Sequence, residues 1–140
     1  MQRSFTTRSV QPYHTTIANL PWKRVYTTNY DDCFEFSALQ TGLKWSSVAV
    51  DEKTTGKSNL CVHINGHLNN LTVDSIKSQV KLTHSSYSAE SFSNNNWSHQ
   101  LRQDLYAAKS VIFIGYSLAD IGVARLLFSS PELKDKVFFI

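Results

Sequence analysis

Glycine is scarce in this chain, with five in 140 residues and none before Gly42. A glycine-rich loop cradling a phosphate therefore has no place in the opening segment, because such loops need bare backbone close to the anion. Thr55-Gly56-Lys57-Ser58 imitates the end of a phosphate-binding P-loop. That pattern demands a glycine five residues before Gly56, where Asp51 stands, so it is rejected. Cys33 and Cys61 are the only cysteines, too few for a disulfide framework or a four-cysteine zinc site. Together with the five histidines they form no close-spaced ligand pair of the finger type, and no metal is expected. Gln2-Arg3-Ser4-Phe5-Thr6-Thr7 has no apolar run of the secretory-leader kind, so reduced thiols and a cytoplasmic location are expected. No apolar stretch approaches the ~18 residues of a membrane span. Asn70-Leu71-Thr72 and Asn96-Trp97-Ser98 match the glycosylation pattern by chance in such a setting. The formal charge is only +3, and basic residues cluster no more densely than Lys23-Arg24, so no specific nucleic-acid surface is expected.

What is present is ordinary globular composition, 41% hydrophobic and 18% charged. A chain of this length makes one domain and can bury about 68–70% of its unfolded surface. Residues 1–20 are polar, with a weak helical signal over 15–20 and a stop at Pro21. Residues 24–28 are β-branched and aromatic and predict a strand. Asp31 or Asp32 then caps a short helix through Phe34, Phe36 and Leu39, ended by Gly42. Further strands are predicted over 45–50, 60–64 and 80–83, with a polar loop over 51–59. The serine- and asparagine-rich stretch 85–96 reads as a loop or a poor helix start. Trp97, Leu101, Leu105 and Ala108 recur at helical spacing and predict a helix over 98–109. Residues 111–114 form a continuous apolar run, the pattern of a strand covered on both faces. A helix over 120–128 and a strand over 137–140 complete the reading. A chain that stops on a buried-type strand is expected to be shorter than its parent domain.

Two strand-to-helix junctions match one another. Thr27-Thr28-Asn29-Tyr30-Asp31 follows one apolar run, and Gly115-Tyr116-Ser117-Leu118-Ala119-Asp120 follows another. In open α/β sheets, ligands bind in the crevice beyond the carboxyl ends of the strands, where these junctions lie. Asn29 can hold a sugar hydroxyl or position a water, and Asp31 can accept from an amide or a ribose. Equally, Asn29 can make a turn while Asp31 caps a helix. Gly115 and Ser117 suit a close backbone approach and a phosphate or ribose contact, or a plain turn and cap. His63 and His67 flank Asn65-Gly66, and a hydrogen-bonded structural role suits a strand histidine such as His63.

Read in order, these segments resemble the sirtuin-like domain of bacterial anti-phage defence proteins. Trp22-Lys23-Arg24-Val25-Tyr26-Thr27-Thr28-Asn29-Tyr30-Asp31 is similar to that family's strand and Thr-x-Asn-x-Asp motif. Val62-His63-Ile64-Asn65-Gly66-His67 falls where the family has an apolar strand ending in His-Gly. Leu82-Thr83-His84-Ser85-Ser86-Tyr87 is similar to the segment that follows. Val111-Ile112-Phe113-Ile114-Gly115-Tyr116-Ser117, with Asp120, looks like the late Gly-x-Ser strand and loop. The resemblance implies an α/β fold with a Rossmann-like parallel sheet that binds NAD. It also implies hydrolysis of NAD to nicotinamide and ADP-ribose. By resemblance, Asn29, Asp31 and His63 are the catalytic candidates, while Thr28, Gly66, Gly115 and Ser117 bind the cofactor.

Two departures qualify what the resemblance implies. The family's first strand and Gly-Ala-Gly-type loop have no counterpart here, so residues 1–140 are expected to form one incomplete sirtuin-like domain. Asn65 occupies the family's histidine position before Gly66, and an amide does not titrate near neutral pH. His63 and His67 are the candidates to replace it. Missing strands would leave sheet edges that promote association, whether with copies of the chain, a protein partner or further domains of a defence system. The competing reading is a catalytically inactive fragment or interaction module that retains the fold. Protein deacetylation, the other sirtuin activity, is disfavoured by the lack of a cysteine quartet.

Overall fold

Leu60-Cys61-Val62-His63 is buried at every position, as expected of a central strand covered on both faces. It is the middle of a three-stranded sheet in a computed structural model that describes residues 7–49, 52–53, 58–67, 96–117 and 121–140. The first unit, Met1–Lys81, contains helix α1 (Pro12–Ala18), strand β1 (Val25–Thr27), helix α2 (Cys33–Gln40), strand β2 (Ser46–Ala49) and strand β3 (Leu60–His63). The sheet order is β1-β3-β2 and both pairings are parallel. Thr27 and Ala49 both register with His63, so the three strands end at one level. This is the parallel Rossmann-like α/β arrangement that the sequence predicts.

Local chemistry sets the helix limits. Proline at the first position of α1 is preorganised for helical φ and has no N–H to leave unpaired, which starts this helix earlier than the apolar pattern suggests. Helix α2 begins after Asp32, but the cap comes from its neighbour: Asp31 Oδ1 accepts the Cys33 N–H at 3.1 Å. Asp32 Oδ1 instead accepts the Thr7 N–H at 2.8 Å. The chain leaves α2 through Gly42 at φ +80°, a left-handed turn suited to glycine. Helix α2 buries Ser37 and Ala38 rather than Leu39, which is 63% exposed. Its buried face is built from small side chains, which lets a helix approach its neighbours closely.

The second unit, Leu82–Ile140, contains helix α3 (Asn96–Ala107), strand β4 (Val111–Phe113), helix α4 (Ile121–Phe128), a 3-10 turn at Pro131–Leu133 and strand β5 (Val137–Phe139). Trp97, Leu101 and Leu105 form the buried stripe of α3, as their spacing predicts. Strands β4 and β5 pair in parallel, and the Phe113 and Phe139 rings stack 5.0 Å apart. Ile112, Ile114, Phe138 and Phe139 are exposed, so β4 is not the doubly covered strand its composition predicts. An apolar run supplies side chains fit for burial, but its two faces are covered only where other elements pack over the sheet. The predicted strand over 80–83, the segment 85–95 and Asp120 lie outside the described residues. No helix among the described residues is long and apolar enough to cross a membrane.

Burial at β3 makes a measurable demand. Leu60 is 1% exposed, so Leu60→Ala should lower unfolding free energy by about 2–5 kcal/mol. Leu39→Ala should change it by less than about 0.5 kcal/mol. Urea denaturation followed by circular dichroism compares the two.

Candidate functional site at the carboxyl ends of β1 and β3

Because β1 and β3 are parallel neighbours, the loops leaving them start side by side. The Ile64 N–H continues the ladder to the Thr27 carbonyl at 3.0 Å. Beyond it, side chains of the β3 loop hold the backbone of the β1 loop. His63 Nδ1–H donates to the Asn29 carbonyl at 3.0 Å, and Asn65 Nδ2 donates to the Thr28 carbonyl at 3.2 Å. The Asn29 N–H donates to Thr27 Oγ1 at 3.0 Å, closing a tight turn. Asn29 is left exposed, and its side-chain amide has no partner among the described residues. Gly66 follows at φ +101°, with its N–H on the His63 carbonyl at 3.1 Å. Only glycine adopts this conformation without strain.

Beneath the loops lies a charged contact. His63 is fully buried, and its Nε2 is 2.8 Å from Glu35 Oε1 on the first turn of α2. The same oxygen accepts the Ser47 hydroxyl at 2.5 Å from β2. A neutral imidazole has one N–H, yet both ring nitrogens of His63 face oxygens. The Asn29 carbonyl can only accept, so Nε2 needs its own proton to meet a carboxylate. Burial alone would raise the Glu35 carboxyl, but the hydrogen bond and charge of His63, with Ser47, outweigh it and hold the group below its ordinary range. The contact is a short, buried histidine–carboxylate hydrogen bond. The Cys61 thiol, on the same face of β3 two residues earlier, is pushed well above its ordinary range by burial and then by the Glu35 charge and a hydrogen bond to it.

His67 packs against this pair, its ring 4.1 Å from that of His63 and tilted 39°. Burial and the His63 charge lower its pKa, against the opposing pull of Glu35, Asp32 and Asp31. Both His67 nitrogens, Asn65 Oδ1 and Glu35 Oε2 are buried and have no hydrogen-bond partner among the described residues. Such a concentration of orphaned polar atoms is rare in folded proteins and makes this the candidate site.

The structure thus brings Thr28, Asn29, Asp31, His63 and Gly66 to neighbouring strand ends within the first unit. Gly115 and Ser117 belong to the second unit, after β4. Gly115 has φ +59° and donates its N–H to the Ile140 carbonyl at 2.9 Å, while Ser117 is exposed. Sequence reasoning missed Glu35 and Ser47. The available signal was a lone glutamate among Cys33-Phe34-Glu35-Phe36-Ser37-Ala38, a segment otherwise fit for burial.

The pair should carry stability with a defined pH dependence. Glu35→Ala leaves the buried His63 Nε2 without its partner and should cost about 3 kcal/mol. Because the folded pKa of Glu35 is depressed, its contribution is complete above the ordinary glutamate range and is lost as pH falls through the folded value. His63, His67, Cys61, Asp31 and Asp32 are the titratable groups acting around it. Urea midpoints measured from about pH 7 to about pH 3 should fall more steeply for the natural chain than for Glu35→Gln.

Comparison with known proteins places this sequence in a family. No curated protein matches the chain. A family model described as the SIR2-like domain matches residues 23–136, from just before β1 to the residue before β5. That match covers the two strand ends and the second unit's Gly115–Ser117 loop, and the chain belongs to the SIR2-like domain family.

Proposed function

We propose that this chain is the NAD-binding part of a SIR2-like domain that, when intact, hydrolyses NAD to nicotinamide and ADP-ribose in cytoplasmic anti-phage defence. The observation that carries this reading is the group of buried polar atoms at the end of β3, beside the Asn29 amide, that have no partner among the described residues. Family membership supports NAD as the ligand.

The reaction asks little covalent chemistry of the protein. Nicotinamide leaves as a neutral base when its glycosidic bond breaks, and water adds to the sugar carbon and loses a proton. The site has to position the water and favour positive charge developing on the sugar. In this reading the Asn29 amide orients the water or the ribose. Asp31, with one oxygen occupied by the Cys33 N–H, directs the other toward the nicotinamide end. His63 serves by fixing the Asn29 backbone, since both its nitrogens are engaged. Thr28 and Gly66 offer main chain to the ligand. His67 is the neighbouring titratable group with both nitrogens unpaired among the described residues.

A second reading, an inactive interaction module, is favoured by one observation: the Asn65 side chain cannot titrate and already holds Thr28. In that case the strand edges serve contact with a partner, further domains or another copy of the chain. Calorimetric titration of NAD into the purified chain separates the two. Saturable heat that Asn29→Ala weakens about tenfold, the loss of one good hydrogen bond, supports the NAD reading. A folded sample that gives no heat supports the module instead.

A further inference from the structure

We propose that Glu35, Cys61 and His63 form a binding site for a zinc-class divalent cation, joining α2 to β3. One donor atom from each lies within 4.8 Å of the other two. Cys61 and His63 are two residues apart on β3, so strand alternation points both at the same side, where Glu35 arrives from the first turn of α2. Spacing in the sequence argued against a zinc finger, and this site is of another kind: its third ligand comes from a different element.

The surroundings are those a metal ligand needs. A coordinating histidine is usually oriented by donating its second ring nitrogen to a carbonyl or carboxylate. His63 does so, giving Nδ1–H to the Asn29 carbonyl and leaving Nε2 directed at Glu35. The Glu35 carboxylate is likewise fixed by Ser47, and its Oε2 is buried without a partner among the described residues. A cation would take the place of any proton on Nε2 and displace the Cys61 thiol proton to solvent, leaving imidazole, thiolate and carboxylate as ligands. That set suits a borderline-soft ion better than magnesium or calcium. Tetrahedral ligands at about 2.0–2.3 Å stand roughly 3.3–3.8 Å apart, so Nε2 and Oε1 need to separate by roughly 0.5 Å. Both belong to side chains, and Glu35, with 12% side-chain exposure, gives an ion a route in.

Cobalt(II) is the probe, because a thiolate ligand gives it a charge-transfer band and tetrahedral coordination gives it intense visible bands. The full chain, dialysed against chelator, should take up cobalt with both signatures, and zinc should displace it. Cys33→Ser should retain the sulfur band, since Cys61 is then the sole thiol. Cys61→Ser should lose the band, with affinity reduced at least ~10-fold, and Ser47→Ala should keep it with weaker binding. Cobalt binding without a sulfur band, or no binding by Cys33→Ser, overturns the proposal. The Cys33→Ser result decides the matter even if Cys61→Ser fails to fold.

Discussion

The contact on which this site depends is the buried hydrogen-bonded pair of His63 and Glu35. Through Nδ1 it holds the Asn29 turn, through Glu35 it ties α2 to the sheet, and through Ser47 it reaches β2. One imidazole therefore links all three strands with the helix above them. A buried pair of this kind contributes little net energy, because desolvation offsets much of the attraction. Its effect is on geometry: removing either partner leaves a buried polar group with nowhere to go. The fold thereby fixes where the Asn29 backbone must lie.

The same constraint divides labour among the polar residues. His63 is spent on structure, with both nitrogens engaged. Asn65 spends its amide nitrogen on Thr28 and keeps Oδ1 without a partner among the described residues. Among the described residues the exposed Asn29 amide, both nitrogens of the buried His67 ring and Glu35 Oε2 are likewise uncommitted. A site in which rigid, satisfied groups support a few unsatisfied ones is preorganised, since little must be ordered when a ligand arrives.

Several elements could be read directly from residue patterns. Val25-Tyr26-Thr27 and the buried run Leu60-Cys61-Val62-His63 declared their strands, and Trp97, Leu101 and Leu105 declared a helical face. The motif order from Thr27 to Ser117 pointed to the sirtuin-like family, and the SIR2-like match over 23–136 agrees. Of the two aspartates expected to cap α2, Asp31 takes the role, while Asp32 bonds the Thr7 N–H twenty-five residues away. One local detail went otherwise. β4 is less covered than an all-apolar run implies, because coverage depends on what packs beside a strand and not on its own composition.

The sequence by itself determined the parallel α/β class, the family, and the presence of polar residues where two strands end. These follow from short-range rules: side-chain period, turn chemistry and the order of motifs along the chain. Only the tertiary structure decided what those residues do to one another. Glu35 meets His63 across 28 positions, and Asn65 meets Thr28 across 37. No local pattern encodes such contacts, because they arise when parallel strands align their ends and a helix folds back over them. Charge state and hydrogen-bond saturation are properties of that assembly.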